Sequence, residues 1–218
     1  MPGWAQSRQP LHVKGNLMNA TITGPDGKER CKWCTATPEY LDYHDREWGF
    51  PVDDDHRLFE KLSLEGFQSG LSWRTILAKR KNFRAAFHGF DFNKVARFTE
   101  SDVERLLGDT GIVRHRGKVE AVINNAQRAQ ELVAQEGSLA AFVWQYEPEH
   151  PAEPQTASTS PESIALSKAL KKLGWKFVGP TTAYAFMQAM GLINDHVGDC
   201  TIRAEVEKAR EGFKRPGH

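Results

Sequence analysis

The apolar residues of this chain recur mainly every three or four positions, a spacing that places them on one face of a helix. Leu58, Leu62 and Glu65 share such a face, so a helix is expected there. The same period recurs in four further segments, which predict four more helices. Their apolar positions are Trp73, Ile76, Leu77, Phe83 and Phe87; Val103, Leu106 and Leu107; Val119, Val122, Ile123 and Ala126; and Leu139, Phe142, Val143 and Tyr146.

Several predicted helices carry end signals. Ser72 is placed to cap the helix that begins near Trp73, and Thr99 with Asp102 resembles a capping box. Gly111 is expected to close the helix that follows Thr99. No convincing alternating strand pattern and no internal repeat is present in the sequence, so the predicted fold is all-α.

Composition divides the chain into three parts. Residues 1–29 mix Pro, Gly, Asn and Ser without a period and are expected to be a flexible leader. Residues 30–200 are expected to form a single domain of two helical lobes, with a Pro-, Ser- and Thr-rich linker near 147–163. Residues 201–218 are predicted to be a charged tail.

The overall composition is that of an ordinary soluble protein. The chain has 218 residues, of which 39% are hydrophobic, and this suffices for a buried core. No apolar run approaches the roughly 20 residues that cross a bilayer, and no secretory signal is evident, so a cytoplasmic location without membrane contact is expected. Three cysteines do not form a disulfide framework without leaving one over.

The formal net charge is only +1, so binding to a polyanion would need a local basic face. Three basic clusters are present, and they flank glycine turns. Any one of them is best explained as a solvated helix face, but the three together favour a phosphate-binding surface. The clusters are Arg74, Lys79, Arg80, Lys81 and Arg84; Arg114, Arg116 and Lys118; and Lys168, Lys171, Lys172 and Lys176.

Cysteine and histidine occur with zinc-ligand spacing at both ends of the predicted domain. Cys31 and Cys34 form one pair, His196 and Cys200 form another, and His44 follows the first pair. Zinc takes four such ligands, so one of the five residues is surplus, and spacing alone favours Cys31 with Cys34. Buried thiols and solvent-facing histidines are the alternative for any one of these residues.

Glu65 would lie on the apolar face of its helix, where burying a carboxylate costs several kcal/mol on an order-of-magnitude scale unless a partner compensates. A shifted helix register or a salt bridge with a nearby arginine is an equally good explanation. Gly66 and Gly70 leave space for a ligand and favour a functional role. Half of the Trp and Tyr residues lie near this carboxylate in the sequence. They suit a planar, cationic ligand, although core packing is the simpler alternative. These residues are Trp33, Tyr40, Tyr43, Trp48 and Trp73.

A second constellation lies in the segment LKKLGWKFVGPTTAYAFMQAMG. A helix is expected to end at Gly174, and a short hairpin leads to a helix that begins at Gly179 and Pro180. The free N–H groups of such a helix start favour an anion. An ordinary helix–turn connection is the alternative, and the lysines before the hairpin favour phosphate binding. Pro180 removes one phosphate-facing N–H.

Taken in order, the stretches RCxW, YHDxEWG, LEGxQxGLSW, GIxRHRGK, KFVG and NDHxxxC resemble the 3-methyladenine DNA glycosylase I family. These motifs run from Arg30 to Cys200 and thus cover most of the chain. The resemblance implies an all-α, helix-hairpin-helix glycosylase that acts in base-excision repair. It also implies a structural zinc ion that joins the two ends of the domain through Cys31, His44, His196 and Cys200, which makes Cys34 the surplus cysteine.

Under this resemblance, the substrate is alkylated double-stranded DNA and the free product is 3-methyladenine. Glu65 is expected to hydrogen-bond the flipped base, Tyr43 and Trp73 to contact its ring, and Trp33, Tyr40 and Trp48 to shape the pocket. The water is activated by Glu65, or it reaches an oxocarbenium-like sugar without a strong base. The expected DNA contacts are Lys176, Gly179, Thr181 and Thr182.

Asp195 is the alternative acid or base, because many helix-hairpin-helix glycosylases have an aspartate shortly after the second hairpin helix. Orientation of the adjacent His196 ring is an equally good role for it.

Two other classes of protein compete with a monomeric, monofunctional N-glycosylase. A non-enzymatic, zinc-stabilised DNA-binding module would use the same features without releasing a base, and a zinc hydrolase would need an open coordination position.

Overall fold

The computed structural model describes residues 21–151 and 153–217. Helices predominate in these residues, which also contain a two-stranded antiparallel sheet of β1 (Thr21–Thr23) and β2 (Glu29–Cys31). Short 3-10 helices span Lys32–Ala36 and His88–Phe90. The α-helices are α1 (Pro38–Arg46), α2 (Asp55–Gln68), α3 (Trp73–Ala86), α4 (Phe92–Val95), α5 (Glu100–Gly108), α6 (Arg116–Glu136), α7 (Leu139–Trp144), α8 (Pro161–Lys172), α9 (Pro180–Ala189) and α10 (Thr201–Glu211).

Most helix starts follow the predicted signals. The Ser72 hydroxyl accepts a hydrogen bond from the Thr75 N–H at 3.2 Å and begins α3. Thr99 and Asp102 form the expected capping box at the start of α5. The expected end of α5 at Gly111 is wrong, because the backbone of Asp109 is already extended and the helix ends at Gly108.

Helix α2 lies at the centre of the fold, where it packs against α3, α6, α7 and α9. Every residue from Leu58 to Phe67 is buried. Burying each large apolar side chain stabilises the fold by about 1.5–3 kcal/mol, which fixes the helix in place. Lys61 and Glu65, two of the three charged residues in this stretch, are therefore held in a rigid and largely dry environment.

The predicted leader differs from the structure in its last part. Residues 1–20 lie outside the described residues, but residues 21–31 form a β-hairpin in which Thr21 pairs with Cys31. The Arg30 guanidinium is buried between Asp26 and Asp45, at 2.6 and 2.8 Å, and ties the hairpin to α1. Strands of three residues are too short to show alternation in a sequence, which is why neither strand was predicted.

The predicted charged tail is also different, because most of it forms α10. Ile202 and Val206 point from this helix into the core and are buried. Arg210 and Arg215 both contact Glu147 at 2.8 Å, so the end of the chain is held against the loop after α7. This helix was not predicted because the segment is rich in charged residues and has only two buried apolar positions, which are one helical turn apart.

The described residues between α7 and α8 contain neither helix nor strand, and α8 already begins at Pro161, within the predicted 147–163 linker. The loop before α8 passes close to the middle of the fold, because Gln155 contacts Asp195 there. Among the described residues, the structure has no helix with the length and apolar content that a membrane span requires.

Candidate active site and metal centre

Four buried side chains from the two ends of the described chain meet at one point. The candidate ligand atoms of Cys31, His44, His196 and Cys200 all lie within 4.8 Å of one another. Cys200 Sγ lies 3.6 Å from His44 Nε2 and 3.5 Å from His196 Nδ1. Cys31 Sγ lies 3.8 Å from His196 Nδ1. We refer to these four residues, which are the ligands that the resemblance implied, as the metal group.

Both imidazole rings of the metal group are oriented by a partner on the opposite side. His44 Nδ1 lies 2.8 Å from an Asp45 carboxylate oxygen, and Asp45 accepts two hydrogen bonds from Arg30 Nε at 2.9 Å. His196 Nε2 lies 3.0 Å from the Trp48 carbonyl oxygen. Each ring therefore presents its other nitrogen to the two sulfur atoms, an arrangement typical of metal-bound histidines.

The thiols and the backbone nearby also suit a metal. Hydrogen bonding from Cys31 strongly lowers the pKa of the Cys200 thiol, which favours its thiolate form. Gly49 has a φ of +87°, and a Cβ there would come within 3.2 Å of the His196 ring. Two sulfur and two imidazole donors in a closed, buried group are the ligands that zinc prefers. Cys34 is buried beside His44 but does not belong to the metal group.

A cavity of about 310 Å³ lies beside the metal group. The Trp33 ring is 5.2 Å from the His44 ring and the Trp48 ring is 4.6 Å from the His196 ring, so these tryptophans separate the two sites. Glu65 and Asp195 both line the cavity. We call this cavity the aromatic pocket, because it is also lined by all five aromatic residues identified in the sequence. These are Trp33, Tyr40, Tyr43, Trp48 and Trp73.

Glu65 reaches the aromatic pocket from the centre of α2, and its side chain is only 5% exposed. Its partner is Lys61, one helical turn earlier, whose Nζ lies 2.7 Å from Glu65 Oε1. A salt bridge was among the explanations considered for Glu65, but the partner is this lysine and not an arginine. Burial lowers the pKa of Lys61 to about 8, although Glu65 opposes this shift.

Trp73, at the first position of α3, lies against Tyr43 with 5.4 Å between the ring centroids. Its Nε1 is buried and has no hydrogen-bond acceptor among the described residues. A buried donor without an acceptor costs about 1–3 kcal/mol, so a ligand that supplies one gains affinity. The pocket thus presents a carboxylate and aromatic rings within a small volume.

Asp195 lies in the same pocket but makes contacts that were not predicted. Its carboxylate accepts hydrogen bonds from the backbone N–H of Gln155 at 2.8 Å and from Gln188 Nε2 at 2.5 Å. Burial raises the pKa of Asp195 despite these bonds. The suggestion that Asp195 orients His196 is wrong, because the Trp48 carbonyl holds that ring. The contacts of Gln155 and Gln188 were not predicted, because only the tertiary structure brings these residues close to the Asp195 carboxylate.

The hairpin between α8 and α9 is attached to α6. The Asn125 side chain bonds both backbone polar groups of Lys176, at 2.8 and 2.9 Å, and leaves the lysine side chain exposed. Gly179 caps α9, and Pro180 is its first residue. Thr181 and Thr182 line a second cavity that Glu65 and Gln68 also border, so the start of α9 adjoins the aromatic pocket.

In two of the predicted basic clusters, one residue already binds other groups of the protein. Arg80 forms a two-pronged ion pair with Glu47, at 2.6 and 2.7 Å. Lys118 is buried and donates hydrogen bonds to the carbonyl oxygens of Phe67 and Ser69, at 2.9 and 2.6 Å, at the end of α2. The expectation of a phosphate-binding face is therefore wrong for Arg80 and Lys118, because both stabilise the fold around the pocket.

Comparison with known proteins gives consistent matches over most of the chain. A family model described as methyladenine glycosylase matches residues 33–204. DNA-3-methyladenine glycosylase 1 of Escherichia coli (strain K12) is 52% identical over 178 residues, which cover 79% of this chain and 95% of that protein. DNA-3-methyladenine glycosylase of Haemophilus influenzae is 45% identical over 180 residues, which cover 80% and 97%.

Solved structures agree with these matches. The structure that describes 3-methyladenine recognition by 3-methyladenine DNA glycosylase I from Staphylococcus aureus superposes with a TM-score of 0.75. It is 39% identical and covers 80% of this chain and 96% of that chain. The helical architecture described above is therefore shared with that protein.

Proposed function

This chain belongs to the methyladenine glycosylase family, as its motifs indicated, and we propose that it excises 3-methyladenine from alkylated double-stranded DNA in base-excision repair. The observation that carries this proposal is the buried carboxylate of Glu65 at the wall of an aromatic pocket. Such a pocket suits a flat, positively charged ligand better than a neutral one.

The chemistry of the lesion fits this pocket. Methylation at N3 gives adenine a positive charge and weakens its bond to the sugar, so that moderate assistance suffices for excision. Glu65 would accept a hydrogen bond from the flipped base, and Tyr43 and Trp73 would contact its ring. Cation–π attraction adds roughly 0.5–2 kcal/mol in a desolvated site. An unmodified adenine brings no charge and loses this gain.

The enzyme must also extract the base from the duplex, which costs a few kcal/mol and less for a damaged base. The α8–α9 hairpin supports the proposed helix-hairpin-helix contact with the DNA backbone, since it carries the exposed side chain of Lys176. Thr181 and Thr182 at the start of α9 border the cavity next to the aromatic pocket. Together with Gly179 they would hold a phosphate close to the extruded base.

Two carboxylates compete for the role of activating water. Glu65 contacts Lys61 and is assigned to the base, whereas Asp195 has a raised pKa and lies across the same pocket. We assign base recognition to Glu65 and keep Asp195 as the alternative acid or base. An oxocarbenium-like sugar also reacts with water without a strong base.

Zinc is the metal that the donors of the metal group fit best. Cys31, His44, His196 and Cys200 would hold it with four protein ligands, and such closed sites are structural. When bound, the ion contributes a cross-link that joins β2 and α1 to the start of α10. Since the Trp33 and Trp48 rings pack between the metal group and the aromatic pocket, this cross-link would also hold the pocket wall.

The proposal is tested by incubating the purified protein with methylated duplex DNA and measuring the free bases. We expect release of 3-methyladenine, while 7-methylguanine in the same sample stays in the DNA. Absence of both bases from a sample of folded, zinc-containing protein would reject the enzyme and leave a zinc-stabilised DNA-binding module.

A further inference from the structure

Lys61 is a buried charge to which the proposed function assigns no role. Its side chain is 6% exposed, and its Nζ lies 2.7 Å from Glu65 Oε1. The same nitrogen lies 2.9 Å from the Tyr43 hydroxyl oxygen and 3.1 Å from the centroid of the Trp73 ring. These are the three groups to which the proposed function assigns the base. The ammonium therefore occupies the point on which they converge.

This position conflicts with a cationic base. An ammonium group has three N–H donors and no acceptor, and here all three directions have a partner. A base that stacks on Trp73 and donates a hydrogen bond to Glu65 needs two of those partners. Two positive charges beside one carboxylate in a desolvated site repel each other strongly, because little water screens them.

We propose that Lys61 occupies the base site while that site is empty and yields it to a cationic base by releasing its proton to solvent. The inference rests on the proposed function and deepens it. Charge balances in this exchange, because the base brings one positive charge, one proton leaves, and Glu65 keeps one cationic partner throughout.

The surroundings of Lys61 make the release of its proton easy. Burial lowers its pKa to about 8, against the opposing effect of Glu65. At neutral pH the amine of the empty site is therefore mostly charged, but its proton is released far more readily than that of an exposed lysine. Burial raises the pKa of Tyr43, so this hydroxyl keeps its proton. The titratable groups that face Lys61 are Glu65 on its own helix, Tyr43 on α1, Glu47 at the end of α1 and Arg80 on α3.

The same exchange favours release of the product. When the bond between the base and the sugar breaks, its electron pair stays on the base, which becomes neutral. The positive charge passes to C1′ of the sugar, where water adds and a proton is lost. The neutral base no longer compensates Glu65, so Lys61 takes a proton from solvent and restores the ion pair. The product then competes with an ammonium for the site.

Calorimetry with the full-length protein tests this inference. The ligands are 3,9-dimethyladeninium, which is permanently cationic, and 9-methyladenine, its neutral counterpart. Titrations in buffers of different ionisation enthalpy report the protons released. We expect about one proton with the cation at pH 7 and none with the neutral ligand, and affinity for the cation that rises about tenfold between pH 6 and pH 7.

Three variants isolate the contribution of Lys61. Lys61→Met should bind the cation about a hundredfold more tightly than the wild type at pH 6, without proton release, because the pKa of the lysine lies about two units higher. Lys61→Arg keeps the charge at every pH and should bind the cation weakly throughout. Lys79→Met is the matched control, since Lys79 bonds the Thr110 and Gly111 carbonyls away from the pocket. Circular dichroism checks that each variant is folded.

The outcomes separate this inference from the proposed function. A Lys61→Met protein with the affinity and pH profile of the wild type would overturn the inference, and so would equal proton release with 9-methyladenine. If neither the wild type nor any variant binds the cation, and methylated DNA releases no 3-methyladenine, the proposed function itself is rejected.

Discussion

The metal group and the aromatic pocket are adjacent polar sites, but their polar atoms are satisfied in different ways. In the metal group the two histidines each have an outer partner, and their inner nitrogens face the sulfur atoms. In the aromatic pocket a donor on Trp73 has no acceptor among the described residues, and the ion pair of Lys61 and Glu65 borders a cavity. The first site is closed around its own atoms, whereas the second has unused binding capacity.

This difference separates stability from function. Polar atoms that satisfy one another contribute to the free energy of unfolding, and removing one leaves its partners unpaired. Polar atoms that await a ligand contribute mainly to binding. Substitutions in the metal group should therefore lower stability first, and substitutions in the aromatic pocket should lower activity first.

The largest effect is expected from Cys200→Ser. The loss of a thiolate ligand should release the metal and lower the free energy of unfolding by more than about 4 kcal/mol. Denaturant unfolding and zinc content measure both effects. Cys34→Ser is the matched control, because that buried thiol lies outside the metal group. Equal losses in the two variants would contradict the assignment of the four ligands.

The next effect concerns Glu65→Gln, which removes the charge of this carboxylate but keeps the shape of the pocket. A hydrogen bond to a charged group contributes about 1.5–3 kcal/mol, so single-turnover excision should slow by about a hundredfold. The free energy of unfolding should change by less than about 1 kcal/mol, since Lys61 can lose its proton. Asp195→Asn is the comparison variant, and a large loss of rate in that variant alone would transfer the main role to Asp195.

A smaller effect is expected from Asp45→Asn, which weakens the orientation of His44 without removing a ligand. Loss of such an outer partner typically lowers metal affinity by about 10–100-fold. Competition with a chelator measures this affinity. Asp42→Asn is the control, because Asp42 is on the same helix but pairs with the exposed Arg46. If both variants keep the affinity of the wild type, Asp45 has no orienting role.

The smallest effect is expected from Trp73→Phe, which keeps an aromatic ring and removes the indole N–H, the group that has no acceptor among the described residues. Affinity for the base should fall about five- to tenfold, in keeping with the roughly 1 kcal/mol of one hydrogen bond. The loss should be the same at every pH, whereas the change in affinity expected for a Lys61 variant depends on pH. Titration with 3,9-dimethyladeninium measures it, and unchanged affinity would show that Nε1 does not donate to the base.

Much of the fold followed from local patterns. The period of three to four residues located the central helices, and Ser72, Thr99 and Asp102 located two of their starts. Lys61 was missed, because a lysine inside an apolar stretch is usually explained by a helix face turned to solvent. Gln155 was missed because it lies in a loop without a period, and only its contact with Asp195 reveals its place.

The sequence by itself determined the central helices, the residue types of the metal group and the presence of a carboxylate on an apolar helix face. These properties depend on residues that are close in the chain, or on long motifs that identify a family. The tertiary structure alone decided which partner Glu65 has, how His44 and His196 are oriented, and that α10 contributes to the core. Such contacts join residues far apart in sequence or depend on side-chain burial, and no local pattern records either.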